Sequence, residues 1–293
     1  MTRLIADTPA KVNLTLRVLN RRSDGFHELD TVFQTIDLWD TLEFELADAI
    51  TLTTDHPELA TDESNLVRRA ANLLREMSGS EAGVAISLCK RIPLRGGLGG
   101  GSSDAAATLL ACARLWGLDS DVSALEAPAR RLGADVPFFL HGGTARGTRL
   151  GDRIAPLEPF GEHPLLLGLP PFGSSTAEVF SGASEWLTLP ANSVSFPALF
   201  GHKWQRPSDL GFLGNDLQEG VFEARPELRH FREGLLGAGA SMALMSGSGS
   251  TVFGVFEDVA SRDAALAVLG DDFDAWSLVP SRTLDERVRI DVR

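Results

Sequence analysis

Residues 96–101 are Gly96, Gly97, Leu98, Gly99, Gly100 and Gly101, and Ser102, Ser103 and Asp104 follow directly. Upstream, residues 84–88, Val-Ala-Ile-Ser-Leu, are a mainly apolar run. Downstream, Ala106, Leu109, Ala113 and Trp116 recur near the helical period, with Gly117 as a stop. The expected order is strand, glycine loop, helix, with Ser102, Ser103 or Asp104 capping the first turn. Glycine costs roughly 0.5–1 kcal/mol per residue relative to alanine in regular structure, so this density marks a backbone that turns tightly and lets a ligand come close. The orphan amides of the first helical turn, together with the glycine amides, form a positive concavity suited to phosphate oxygens.

Spacing excludes two familiar phosphate loops. There is no Gly-x-x-x-x-Gly-Lys-Ser/Thr, and Ser102 stands where the last glycine of Gly-x-Gly-x-x-Gly belongs. At a net charge of −13, long-range electrostatics oppose nucleic acid and anionic membranes as partners, so a polyanionic ligand needs a local positive site. Lys90, Arg91 and Arg95 flank the loop and are candidates to supply it. No run reaches the roughly 18–20 apolar residues of a membrane span, and a basic-then-apolar leader is lacking at the N-terminus. Cys89 and Cys112 form no C-x-x-C pair, and the six histidines show no zinc-type spacing. A cytoplasmic protein is expected.

Val12, Leu14, Leu16 and Val18 alternate with Lys11, Asn13, Thr15 and Arg17, the pattern of a strand with one buried face, on which Lys11 and Asn13 point the same way. Further strands are expected around Leu42, Phe44 and Leu46 and around Ile50 and Leu52, with helices over 65–77 and 125–132. Residues 151–164 read as turn-rich. Beyond them come a strand at 165–167, a short helix at 175–182 and an irregular region at 190–214. A helix at 227–236, strands at 242–245 and 252–256, a helix at 260–269 and a strand near 276–279 complete the chain. The order strand, helix, strand, strand, helix, strand is that of a ferredoxin-like domain. The expected fold class is α+β, with a mixed α/β domain over 1–156 and a second domain over 157–293.

Three separated motifs, Pro-Ala-Lys11-Val-Asn13-Leu, the loop Pro93-Leu94-Arg95 through Ser103, and Ser246-Gly247-Ser248-Gly249-Ser250, occur in an order that resembles the GHMP kinases. Gly-Phe26-His27-Glu-Leu, Gly-Ala-Asp135-Val-Pro and Asn215-Asp216-Leu217 resemble the branch whose acceptor is a cytidine diphosphate ester of a polyol. The resemblance implies a two-domain kinase that takes ATP with Mg2+ and phosphorylates that small molecule. Lys11 and Asp135 fall on the family's catalytic lysine and base. Lys11 is also unusual by composition, since only three of the 27 basic residues are lysine, and lysine offers a compact charge where arginine needs room for its fork.

By the same resemblance, Pro93 to Ser103 and Asn65 hold ATP. Asn13, Phe26, His27, Thr176 and Phe180 hold the acceptor, with the two aromatic rings stacking on cytosine. Two departures stand out. The chain has no tyrosine, so Phe26 replaces the tyrosine often found there, and Arg95 stands where the family often has a small residue.

Overall fold

The computed structural model describes residues 3–119, 121–186 and 213–292. In chain order the first elements are β1 (Arg3–Arg21), β2 (His27–Ala47), β3 (Thr51–Thr54), α1 (Leu66–Ser78), β4 (Gly83–Cys89), α2 (Gly100–Leu115), α3 (Val122–Leu132), α4 (Val136–His141), β5 (Thr144–Arg149) and β6 (Arg153–Pro156). The remainder are β7 (Pro164–Leu169), α5 (Thr176–Trp186), α6 (Gln218–Ala224), α7 (Pro226–Gly237), β8 (Met242–Met245), β9 (Val252–Val255), α8 (Val259–Asp272), β10 (Ser277–Arg282) and β11 (Arg289–Val292). Among the described residues no helix is long and apolar enough to cross a membrane.

The β1–β2 hairpin organises both halves. Its base sits in a mixed sheet of order β11-β1-β2-β4-β3, with β5 branching from β2 and β6 pairing in turn with β5. Helices α1 to α4 close this sheet over a core that includes Phe44, Ile86, Leu109 and Phe138. Helix α2 runs through the middle of that core. Its alanines, from Ala105 to Ala107 and again at Ala111 and Ala113, are fully buried, because small side chains let neighbours approach from every side.

The second sheet has the order β10-β7-β9-β8, all antiparallel. With α7 and α8 on one face, that is the expected ferredoxin-like arrangement. Its other face packs Leu165, Leu167, Phe253 and Val255 against Val12, Leu14, Val32 and Ile36 of the hairpin. Being covered on both sides explains why β8 and β9 are continuously apolar rather than alternating.

Several expectations change. Residues 11, 13 and 15 of β1 are as buried as their apolar neighbours, because the polar face is roofed by the site described below. The stretch 151–164 contains β6, and β5, α4, α6 and β11 are additional elements. β11 returns the chain to the first sheet by pairing with β1. The irregular region expected at 190–214 lies outside the described residues except for its last two.

Those two begin a strap. Leu16 N–H donates to Gly214 O at 2.8 Å and Asp216 N–H to Leu16 O at 2.9 Å. Asp216 in turn accepts from Arg17 and from the Val18 amide. The buried Asn215 amide donates to Met245 O (2.8 Å) and Gly247 O (2.7 Å), while its Oδ1 accepts from the Leu217 amide. Asn215→Ala leaves two buried carbonyls and one amide without partners, and is expected to lower the unfolding free energy by about 2–3 kcal/mol in urea titrations.

Candidate active site

The glycine loop leaves β4, passes residues 90–99 and enters α2 at Gly100. Its backbone has positive φ at Arg95, Gly97 and Gly99, with values of 56°, 75° and 73°. A Cβ on Gly97 would lie 2.2 Å from Ser246 O, and one on Gly99 would lie 2.8 Å from the Phe139 ring. Only glycine allows both the turn and the contact. The loop is held by Lys11 N–H to Leu98 O (3.0 Å), Thr251 N–H to Gly96 O (3.2 Å) and the Ser246 hydroxyl to Gly97 O (2.9 Å).

The helix cap is therefore Gly99, without a side-chain bond, and not Ser102, Ser103 or Asp104. The helix starts earlier than a serine cap requires, because the glycines themselves supply the turn. Ser102 lines the cleft. Ser103 is fully buried on the other side, donating to Pro9 O at 2.6 Å and meeting the Thr8 hydroxyl, so it bolts α2 to β1.

Beneath the loop, Lys90 is neither a rim charge nor a free cation. Its ammonium is buried between Asp40 and Asp104, 2.8 Å from the latter. Asp40 also accepts the Arg91 and Ile92 amides, at 2.5 and 2.8 Å, so one carboxylate ties β2 to the segment entering the loop. Burial lowers the Lys90 pKa, but Asp104 and Asp40 more than offset this and leave it raised. Burial pushes the Asp104 carboxyl up to about 7, against the pull of Lys90 and with the help of Asp40. Among the described residues its Oδ1 has no hydrogen-bond partner.

Across the loop, Lys11 from β1 and Asp135 at the start of α4 approach to 3.4 Å. The Lys11 ammonium is buried and also donates to Asn13 Oδ1 at 2.7 Å. Asn13 passes the chain on to Thr31 (2.8 Å), whose hydroxyl donates to Thr15 O (2.6 Å). Every member is satisfied, which fixes the Lys11 ammonium in place. The Asp135 side chain keeps about a third of its surface exposed to the cleft.

Lys11, Asn13, Asp135, Thr176, Phe180 and residues 93–102 all line one cleft of about 600 Å3. Thr176 meets Ser248 hydroxyl to hydroxyl at 2.9 Å. His27 stacks on Phe180 with ring centres 5.7 Å apart. Burial, and then Arg21, hold the His27 pKa below its ordinary value, which favours the neutral ring. Phe26 is not on the lining; it stands at the hairpin tip with 62% of its surface exposed. Asn65 is also off the lining. It caps α1 by accepting from Val67 N–H (2.9 Å) and donates to Ala60 O (2.7 Å), and so steadies Glu58, Leu59 and Ala60, which do line the cleft.

Residues 65–143 match the family model described as the GHMP kinases N terminal domain, and residues 195–275 match GHMP kinases C terminal. The chain is 44% identical over 258 residues to the 4-diphosphocytidyl-2-C-methyl-D-erythritol kinase of Pelotomaculum thermopropionicum, covering 86% of this chain and 88% of that one. It is 41% identical to the protein of the same name from Pseudomonas putida, over 92% of this chain and 90% of that one. A crystal structure of 4-(cytidine 5'-diphospho)-2C-methyl-D-erythritol kinase superposes with a TM-score of 0.74 at 36% identity, covering 97% of this chain and 99% of that chain. The chain belongs to the 4-diphosphocytidyl-2-C-methyl-D-erythritol kinase branch of the GHMP kinases.

In this GHMP kinase, sequence reasoning missed Thr31, Gly247, Ser248, the Glu58 segment and the structural role of Lys90. Ser248 had a visible signal, since it lies in the third quoted motif. Lys90 had none, because its carboxylates are 50 and 14 residues away.

The buried triad predicts a pH effect. Because the folded Asp104 pKa is raised, the stability its proton contributes is complete below about pH 4 and is lost as pH rises to about 7. Asp104→Asn keeps the shape without the titration. In urea unfolding at pH 5 and pH 8, wild type is expected to lose on the order of 2 kcal/mol relative to this variant. Parallel curves contradict the assignment.

Proposed function

We propose that the chain transfers the γ-phosphoryl group of ATP to the 2-hydroxyl of 4-diphosphocytidyl-2-C-methyl-D-erythritol, giving ADP and the 2-phosphate in non-mevalonate isoprenoid precursor synthesis. The observation that carries this reading is the Lys11–Asp135 pair facing the glycine loop across one cleft. The glycine amides and the α2 N-terminus take the ATP phosphates. Asp135 accepts the proton of the acceptor hydroxyl as its oxygen bonds to the γ-phosphorus and the bond to ADP breaks. Lys11, fixed by Asn13, orients that carboxylate and offsets charge spreading over the transferred group.

Among the described residues no three His, Cys, Asp or Glu side chains gather as a metal cage. The cleft instead offers single oxygen donors beside the glycine loop, the Ser102 hydroxyl among them. This fits Mg2+, which in kinase sites keeps its waters and relies on substrate phosphates plus one or two protein oxygens. When bound, it neutralises phosphate charge.

Phe180, which lines the cleft and is backed by the His27 ring, is the face suited to cytosine, while Phe26 on the exposed hairpin tip lies off the lining. Thr176 and Asn13 face the polyol and phosphates. The net charge of −13 and the lack of a membrane-crossing helix among the described residues fit a cytoplasmic enzyme with small-molecule partners.

ADP release measured with the cytidine acceptor, homoserine and mevalonate tests the assignment, which predicts turnover only with the first. Turnover with another alcohol and none with the cytidine compound overturns it. Asp135→Asn is expected to lower kcat by about 10²- to 10⁴-fold while ATP affinity stays within about threefold, because the carboxylate acts on the acceptor side. Phe180→Ala is expected to raise the acceptor KM about tenfold or more, as loss of one stacking face does, and to leave the ATP KM nearly unchanged.

A further inference from the structure

Among the described residues three cations line the cleft, and two of them are already neutralised: Lys11 by Asp135 and Lys90 by Asp40 and Asp104. The third is Arg95. Among the described residues its guanidinium has no ion pair and no side-chain hydrogen bond. Its backbone is nevertheless tightly fixed. φ is 56°, a conformation that non-glycine residues rarely adopt, and its carbonyl accepts from the Ser174 amide at 3.2 Å. Its stem lies so close against Gly173 that a Cβ there would come within 2.7 Å of the Arg95 Cβ. The chain thus holds an exposed arginine, unpaired among the described residues, in a strained backbone position at the junction of the glycine loop and the segment leading to Thr176.

We propose that Arg95 is a substrate-binding residue whose guanidinium grips the diphosphate group of a nucleotide in this cleft, adding a charged fork to the amides of the glycine loop. An arginine presents two parallel N–H donors that match a pair of phosphate oxygens. The strained backbone places that fork at the cleft mouth, and Gly173 leaves it room. The proposal rests on the kinase reading for the identity of its ligands, since the donor's triphosphate and the acceptor's diphosphate both present adjacent phosphate groups there.

Calorimetric binding of ADP, CDP, adenosine and cytidine to wild type and Arg95→Gln separates the two sources. Weakening of ADP by about tenfold, with adenosine unchanged, assigns the grip to the donor. The same loss for CDP, with cytidine unchanged, assigns it to the acceptor. Arg95→Gly, which suits the positive φ, is expected to give the same loss in a protein at least as stable, and Arg95→Lys to recover part of it. If both diphosphates bind within twofold of wild type, or if each nucleoside weakens as much as its diphosphate, the proposal is overturned. Should the cytidine acceptor fail to turn over while ADP binding still depends on Arg95, the kinase reading fails and the phosphate grip stands.

Discussion

The carbonyl oxygen of Ser246 occupies the space that a side chain on residue 97 would need. That contact lets the glycine loop of the first domain rest directly on the serine-glycine turn of the second, secured by the Ser246 hydroxyl and the Thr251 amide. Both walls of the cleft follow from it. The loop presents its amides on one side, and the turn presents Ser248 to Thr176 on the other. The same loop, through Leu98 O, fixes the backbone of Lys11 opposite Asp135.

Charge is distributed to match. A protein with so negative a balance concentrates its cleft cations, but most are committed to structure or orientation. Lys90 is enclosed by two carboxylates beneath the loop and braces it, and Lys11 is tied to Asn13 and Asp135. Arg95 alone among the described lining cations remains unpaired, at the mouth, where a phosphate group would arrive.

The loop, the periodic helices and the strand order of the second domain were legible because each has a local signature in spacing or composition. Other features lacked one. Helix α4 reads Val-Pro-Phe-Phe-Leu-His and is buried on every side, so no period exists to be seen. The polar residues of β1 imitate a solvent face, yet they are buried because the site covers them. Asn65 and Ser103 fell on family positions, but the geometry gives the first a capping role and the second a bolt between helix and strand. Phe26 stands apart at the hairpin tip, and it is His27, its neighbour, whose ring meets Phe180.

The close approach at residue 97 is tested most directly by Gly97→Ala, with unfolding free energy and ATP-dependent turnover measured on the same preparation. A methyl group cannot occupy the space of the Ser246 carbonyl and is strained at positive φ. The expected result is a stability loss of about 2 kcal/mol or more, together with a fall in kcat/KM for ATP of at least about 100-fold as the amide cradle is displaced. A variant as stable and as active as wild type would contradict the account, because it would mean that neither the domain contact nor the phosphate cradle depends on that missing side chain.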